Sequence, residues 1–199
     1  MRLSEQSVVK ARFLAYDMEM TGLDPWADEI VEIACIPIDG LSIRDDHGFF
    51  VQLNPNSGFD PGAKHVTGLS HQQQDFNDNP QIESALPEFL GMAQERILVG
   101  QNPKMDMEFL RTAGKSAAIM VPNYPIIDIS RLFMRLYPGE QHYNLDHIAR
   151  VLGFGPRRGK HNAWEDTMLT ARCFVRLAAM FRNKGMTSAG EIIKAGRMR

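Results

Sequence analysis

Cysteine is nearly absent: Cys35 and Cys173 are the only two, and neither belongs to a CxxC pair. That excludes a cysteine zinc cluster and leaves no framework for disulfides, so both thiols are expected to be buried and reduced. Long apolar runs are missing as well. Nothing reaches the ~18 residues that mark a membrane span. The opening MRLSEQSVVKAR has no hydrophobic stretch of signal-peptide length, from which a cytoplasmic location is expected. No GxGxxG follows the first apolar strand, which removes a Rossmann dinucleotide site. Internal repeats and low-complexity tracts are also lacking. A basic surplus is missing too: 22 Lys and Arg stand against 24 Asp and Glu, for a formal charge of −2. This balance excludes little, because acidic residues gathered at one point leave a more basic surface elsewhere.

What remains is an ordinary globular composition, 44% hydrophobic and 23% charged, in 199 residues. That suits one domain, with a core over about 12–182, a short N-terminal arm and a basic C-terminal extension, NKGMTSAGEIIKAGRMR. RFLAYDMEM (12–20) has the apolar and aromatic character of a central strand. DEIVEIACIPIDG (28–40) and HGFFVQL (47–53) read as two more, completing an antiparallel meander. A loop rich in Asn, Pro, Gly, Gln and Asp runs from about 54 to 79, with the start of a short helix at HVTGLS. Residues 82–95 carry Ile82, Leu86, Phe89 and Leu90 at helical spacing. ILVG (97–100) reads as a buried parallel strand, followed by a helix over 107–117 and a strand over 125–128. Helices are expected over 130–137, over 145–152 with Asn144 as cap, and over 162–181. Antiparallel strands followed by alternating helices and strands imply an α/β fold with a mixed five-stranded sheet flanked by helices.

Three constellations carry chemistry. Asp17-Met18-Glu19 ends the first strand, and a period of two puts both carboxylates on one face. Adjacent anions beside a core repel each other and lose hydration, which a bound cation would offset; a solvated loop beginning at MTGLDP is the other reading. Next, ILVGQNPKMDMEFL places Asp106 near a helix start just beyond a strand's carboxyl end, where α/β proteins bind ligands. Helix capping by Asp106 is the competing reading. Last, HNAWED precedes the long final helix. In one continuous helix, positions 161 and 166 would lie about 140° apart. If His161 instead leads into the helix and Asp166 sits in its first turns, both can reach one point. A surface histidine beside a glycine loop is the alternative.

Taken together, DxE, then Asp after a strand-end Asn, then HxAxxD before a long helix resembles the DEDDh branch of the DnaQ-like 3′→5′ exonuclease family, which includes the DNA polymerase III epsilon-like and RNase T-like proteins. The resemblance covers about 12–182 and extends to Thr21-Gly22-Leu23, IVEIACI, Val66-Thr67-Gly68-Leu69 and Leu145–Gly153. Met18 and Met20 stand where family members often carry Thr, and Gln101 where they carry His. DMEMTGLDP is close to the oligoribonuclease version of the first motif. None of these departures removes a catalytic group.

The resemblance implies a ribonuclease-H-like fold, with Asp17, Glu19, Asp106 and Asp166 as metal ligands and His161 as general base. It implies two divalent cations, and oxygen-only ligands point to Mg²⁺ or Mn²⁺. Asp17 would bridge the two ions, Glu19 and Asp166 would serve the nucleophile side, and Asp106 the other ion. His161, with an ordinary pKa near 6.5, can accept a proton from the attacking water at neutral pH. The substrate would be a nucleic acid with a free 3′ end, and the products 5′-mononucleotides. Two cations held by four carboxylates would turn the formal −2 into +2. The backbone at Met20 and Thr21 would meet the terminal 3′-hydroxyl, with Leu23 and Thr67 against the last nucleotide; Met20 as a core methionine is an equal alternative. Arg157, Arg158 and Lys160 are placed to bind phosphates, or else form a solvated basic loop. Two other readings stand beside this one: a proofreading subunit whose main role is to bind a polymerase, and a nucleic-acid-binding module without strong catalysis. No membrane partner is expected.

Overall fold

The computed structural model describes residues 2–55, 78–155 and 162–197. Strand β1 (Arg12–Met20) is central. It pairs antiparallel with β2 (Ile30–Asp39) and parallel with β5 (Ile97–Gly100), which pairs parallel with β6 (Ile126–Asp128). The other edge of β2 is shared by two short antiparallel strands, β3 (Ser42–Ile43) and β4 (Phe49–Gln52). Among the described residues the mixed sheet therefore has six strands where the sequence suggested five; the extra one is a two-residue hairpin arm too short to show a period. HVTGLS lies outside the described residues.

Side chains alternate along a strand, so β1 feeds two cores. Phe13 and Ala15 join the core beneath α3 (Ile129–Leu136), α4 (Leu145–Val151), α5 (Ala163–Asn183) and α6 (Ala189–Gly196). There the Phe13 and Phe174 rings lie 4.8 Å apart. Leu14, Tyr16, Met18 and Met20 face the opposite core, under α1 (Ile82–Ala93) and α2 (Lys104–Ser116). Tyr16 meets the Phe89 ring edge-on at 5.8 Å. Both cysteines are buried and free, and burial pushes each thiol up to about 12. Asn144 caps α4 as expected, accepting from the His147 amide at 2.9 Å. No helix among the described residues is long and apolar enough to cross a membrane.

The C-terminal residues are more than a basic extension. Ser188 and Glu191 form a reciprocal capping box that starts α6, and Ala189, Ile192 and Ala195 are buried in the first core. The N-terminal arm ties to it, with Val8 donating to the Thr187 carbonyl at 2.8 Å and Ala189 to the Gln6 carbonyl at 2.8 Å.

Candidate active site

The odd-numbered face of β1 changes character along its length. Phe13 and Ala15 are packed under helices, then Asp17 and Glu19 emerge half-buried at the carboxyl end. A register shift between Glu19 and Met20 follows, the kind of irregularity that re-aims side chains at a sheet's end. The strand then turns into a braced loop. Thr21 donates its hydroxyl to Asp28 and accepts from the Glu29 amide, at 3.1 and 3.0 Å, while Asp28 also accepts from the Asp24 amide at 2.9 Å. A Cβ on Gly22 would lie 2.4 Å from the Asp28 carboxylate oxygens, so only glycine admits this brace.

Asp166 reaches the same point from α5. Asn162, extended at φ −151° and ψ 152°, caps this helix by accepting from the Glu165 amide at 2.8 Å. Helix geometry therefore begins at Ala163. Asp166, 7% exposed, falls in the first turn facing the sheet. Thr167 beside it donates to the Ala34 carbonyl at 3.3 Å. Ligand oxygens of Asp17, Glu19 and Asp166 all lie within 4.8 Å of one another. Three converging carboxylates, all oxygen donors among the described residues, could hold a metal ion, and oxygen donors suit a hard cation.

Asp106 is not one of these three. It is the third residue of α2, behind the cap position occupied by Pro103, and no side chain caps that helix. Asp106 is therefore not the N-cap residue, which corrects the capping reading, and the residue is 8% exposed. Burial pushes its pKa up to about 7. Its neighbour across the sheet end is Tyr16, whose phenol is held well above its ordinary pKa by burial first, then by the charges of Asp106 and Asp17. The turn leading to Asp106 is fixed by a residue that sequence reasoning overlooked. Asp128, at the end of β6, accepts from the Ser130 amide at 2.8 Å and from the Asn102 amide at 3.3 Å. It thus caps α3 and holds Asn102 at φ +52°.

Among the remaining expected residues, His161 and Thr67 lie outside the described residues, as do Arg157, Arg158 and Lys160. The Met20 side chain belongs to the second core, so only its backbone is available at the strand end. The Thr21 hydroxyl is used within the loop brace. Leu23 is 55% exposed. The other overlooked residue is Glu32 on β2, directly opposite Glu19 and 2% exposed. Its presence inside IVEIACI was visible, but strand alternation alone does not say which face a helix end will cover.

A mixed sheet flanked by helices, with carboxylates converging at the end of its central strand, places the chain in the ribonuclease-H-like fold class. Within that class the chain belongs to the RNase T exonuclease family, whose model matches residues 14–174. It is 34% identical over 184 residues to the PolC-type DNA polymerase III of Thermotoga maritima, covering 92% of this chain and 13% of that protein. It therefore spans only about an eighth of the length of such relatives. To the DNA polymerase III subunit epsilon of Aquifex aeolicus it is 28% identical, over 86% of this chain and 82% of that one. Among solved structures, a 3′-exonuclease studied for recognition of the 3′ end of a histone mRNA stem-loop superposes with a TM-score of 0.68 at 17% identity, covering 89% and 65% of the two chains. The DnaQ-like resemblance and the ribonuclease-H-like fold both hold.

Proposed function

We propose that this chain is a metal-dependent 3′→5′ exonuclease of the DEDDh type, releasing 5′-mononucleotides from DNA or RNA. The observation that carries the reading is the convergence of Asp17, Glu19 and Asp166 within 4.8 Å, in a chain of the exonuclease family. Asp17, Glu19 and Asp166 would hold one divalent cation, and Asp17 with Asp106 a second, Mg²⁺ or Mn²⁺. Such cations, when bound, supply charge stabilisation for the phosphoryl transition state and lower the pKa of water. His161 accepts the proton of the attacking water. Asp106 contributes a carboxyl whose raised pKa, about 7, keeps it ready to lose its proton when a cation arrives. The hydrogen bonds from Thr21 to Asp28 and Glu29 brace the loop after β1; the backbone at Met20 and Thr21 would meet the terminal 3′-hydroxyl, and Leu23 and Thr67 would lie against the last nucleotide.

A second reading, that the chain proofreads for a polymerase, is favoured by the relatives named as DNA polymerase III subunits. Co-elution with a polymerase subunit on size-exclusion would support it. The primary test uses matched 3′-labelled and 5′-labelled DNA and RNA, single- and double-stranded, with Mg²⁺ or Mn²⁺. Mononucleotides should appear first from the 3′-labelled end, a blocked 3′ terminus should stop digestion, and a blocked 5′ terminus should not. Rapid internal cutting of a circular single strand would overturn the exonuclease reading. Tight binding without any turnover would leave a nucleic-acid-binding module.

A further inference from the structure

We propose that Glu32 is a positioning residue of the carboxylate centre, its buried side chain clamping the first turn of α5, and so Asp166, to the strand beside Asp17 and Glu19. Only the catalytic consequence rests on the exonuclease reading; the clamp itself does not.

Glu32 is 2% exposed. A carboxylate so placed is costly unless each oxygen is satisfied. Among the described residues it forms no ion pair with Lys or Arg; it is satisfied by two hydrogen bonds instead. Oε1 accepts from the side-chain amide Nε2 of Gln52 at 3.0 Å, which ties it to β4. Oε2 accepts from the backbone amide of Ala163 at 3.0 Å, 131 residues away. Ala163 is the first residue of α5, and its amide is one of the orphan donors that every helix start leaves unpaired. An anion there also meets the positive end of the helix dipole.

The geometry gives this contact its meaning. Glu32 pairs directly with Glu19, so their side chains leave the same face of the sheet. Two positions further along β2, the Ala34 carbonyl accepts from Thr167 at 3.3 Å. The first turn of α5 is therefore fastened to β2 at Ala163 and Thr167, and Asp166 lies between the two fastenings. Outer groups that orient metal ligands in this way are worth about 10–100-fold in affinity or activity.

Two conservative variants separate reach from charge. Glu32→Asp keeps the charge and withdraws the carboxylate by one methylene. Glu32→Gln keeps the reach and loses the charge; its amide oxygen can still accept from Ala163 while Gln52 turns its own amide to accept the new donor. The clamp predicts that Asp is the worse substitution. In the metal-free protein, Glu32→Asp should speed amide exchange in the first turn of α5 selectively, by about tenfold or more, with other helices unchanged. Mn²⁺ affinity and kcat on a 3′-labelled single-stranded oligonucleotide should each fall on the order of 10-fold, while KM for the oligonucleotide holds. Glu32→Gln, which gives up only the charge, should lose clearly less than Glu32→Asp in exchange protection, Mn²⁺ affinity and kcat, with KM again unchanged. The reverse ranking, with Gln losing Mn²⁺ affinity and Asp retaining it, would make Glu32 an electrostatic or ligand group and overturn the clamp. Unchanged exchange in both variants would overturn it equally. If the wild-type chain shows no 3′-end turnover, the exonuclease reading fails alone, since exchange and Mn²⁺ titration still judge Glu32.

Discussion

The two faces of β1 follow the same period and reach opposite ends. Toward α1 and α2 the row is Leu14, Tyr16, Met18 and Met20, apolar apart from one phenol and buried to the strand's last residue. Toward α5 it is Phe13, Ala15, Asp17 and Glu19, apolar for two positions and then anionic. The carboxylates repel one another, and an isolated strand end would splay under that repulsion. Here the other face holds it: each acidic residue is flanked in sequence by a methionine packed on the far side. One face thus supplies anchorage so that the other can carry charge.

The sharpest way to break the comparison is to neutralise the acidic face. Asp17→Asn or Asp166→Asn keeps shape and removes a ligand charge, so turnover should fall on the order of 10³-fold, equivalent to several kcal/mol of lost transition-state stabilisation. Circular dichroism and Tm should stay close to wild type, because the anchoring face is untouched. Near-normal turnover in either variant would refute the assignment of these residues as ligands.

A smaller effect separates proton transfer from ligation. His161→Ala should cut kcat on the order of 10²-fold with Mn²⁺ affinity retained, since the carboxylates still bind. Wild-type rate should fall below pH about 6.5 as the imidazole becomes protonated. Parallel collapse of affinity and rate would make His161 a ligand.

On the anchoring face the expected damage is to stability. Phe89→Ala removes the ring that Tyr16 packs against, a loss of about 3–5 kcal/mol. Tm should drop by roughly 10 °C, while kcat of the folded fraction is unchanged at a temperature below the transition. Lost turnover without lost stability would show that the two faces are not separable.

Much of this division could be read from the chain. RFLAYDMEM and ILVG match β1 and β5 residue for residue, because each is a dense apolar run with an abrupt polar end. Asn144 was readable as a cap because its short side chain stands just ahead of an apolar helical period. The acidic residues were placed by motif order, and three of them do converge. The misses share a cause. Glu32 in a strand looks solvent-facing until a helix start from far along the chain covers it. Helix α6 was hidden by the basic residues around it, although SAGE at 188–191 is a capping box in plain view. Nor does the sequence show the depth of Asp106, whose place near a helix start suits a cap as well as a ligand, because that depth depends on how α2 docks on the sheet.

Asp106 gives the mildest and most specific test, because it reaches the sheet end from the anchoring side. Burial raises its pKa from the ordinary 3.8 to about 7. Between those values the folded state binds more protons than the unfolded one, so stability of the metal-free protein should decline as pH rises through that window. Above about 7 the folded protein holds a buried anion and the loss is complete; below about 4 both states are protonated and the loss disappears. Asp106→Asn removes the ionisation and should flatten this slope. At pH 8 the metal-free variant should be more stable than wild type, with a ceiling of a few kcal/mol set by about 1.4 kcal/mol per pKa unit. The observed gain should fall short of that ceiling, because a buried amide brings donors that also need partners. At pH 4 the advantage should vanish. Saturating Mg²⁺ should reverse the order at pH 8, as the cation stabilises the wild-type carboxylate and finds a weaker ligand in the variant. Thermal melts of both proteins at pH 4, 6 and 8, with EDTA and with Mg²⁺, measure every one of these signs. A variant less stable than wild type at pH 8 in EDTA would show that the Asp106 carboxylate is well solvated or paired without metal, and that the acidic centre does not extend to the anchoring face.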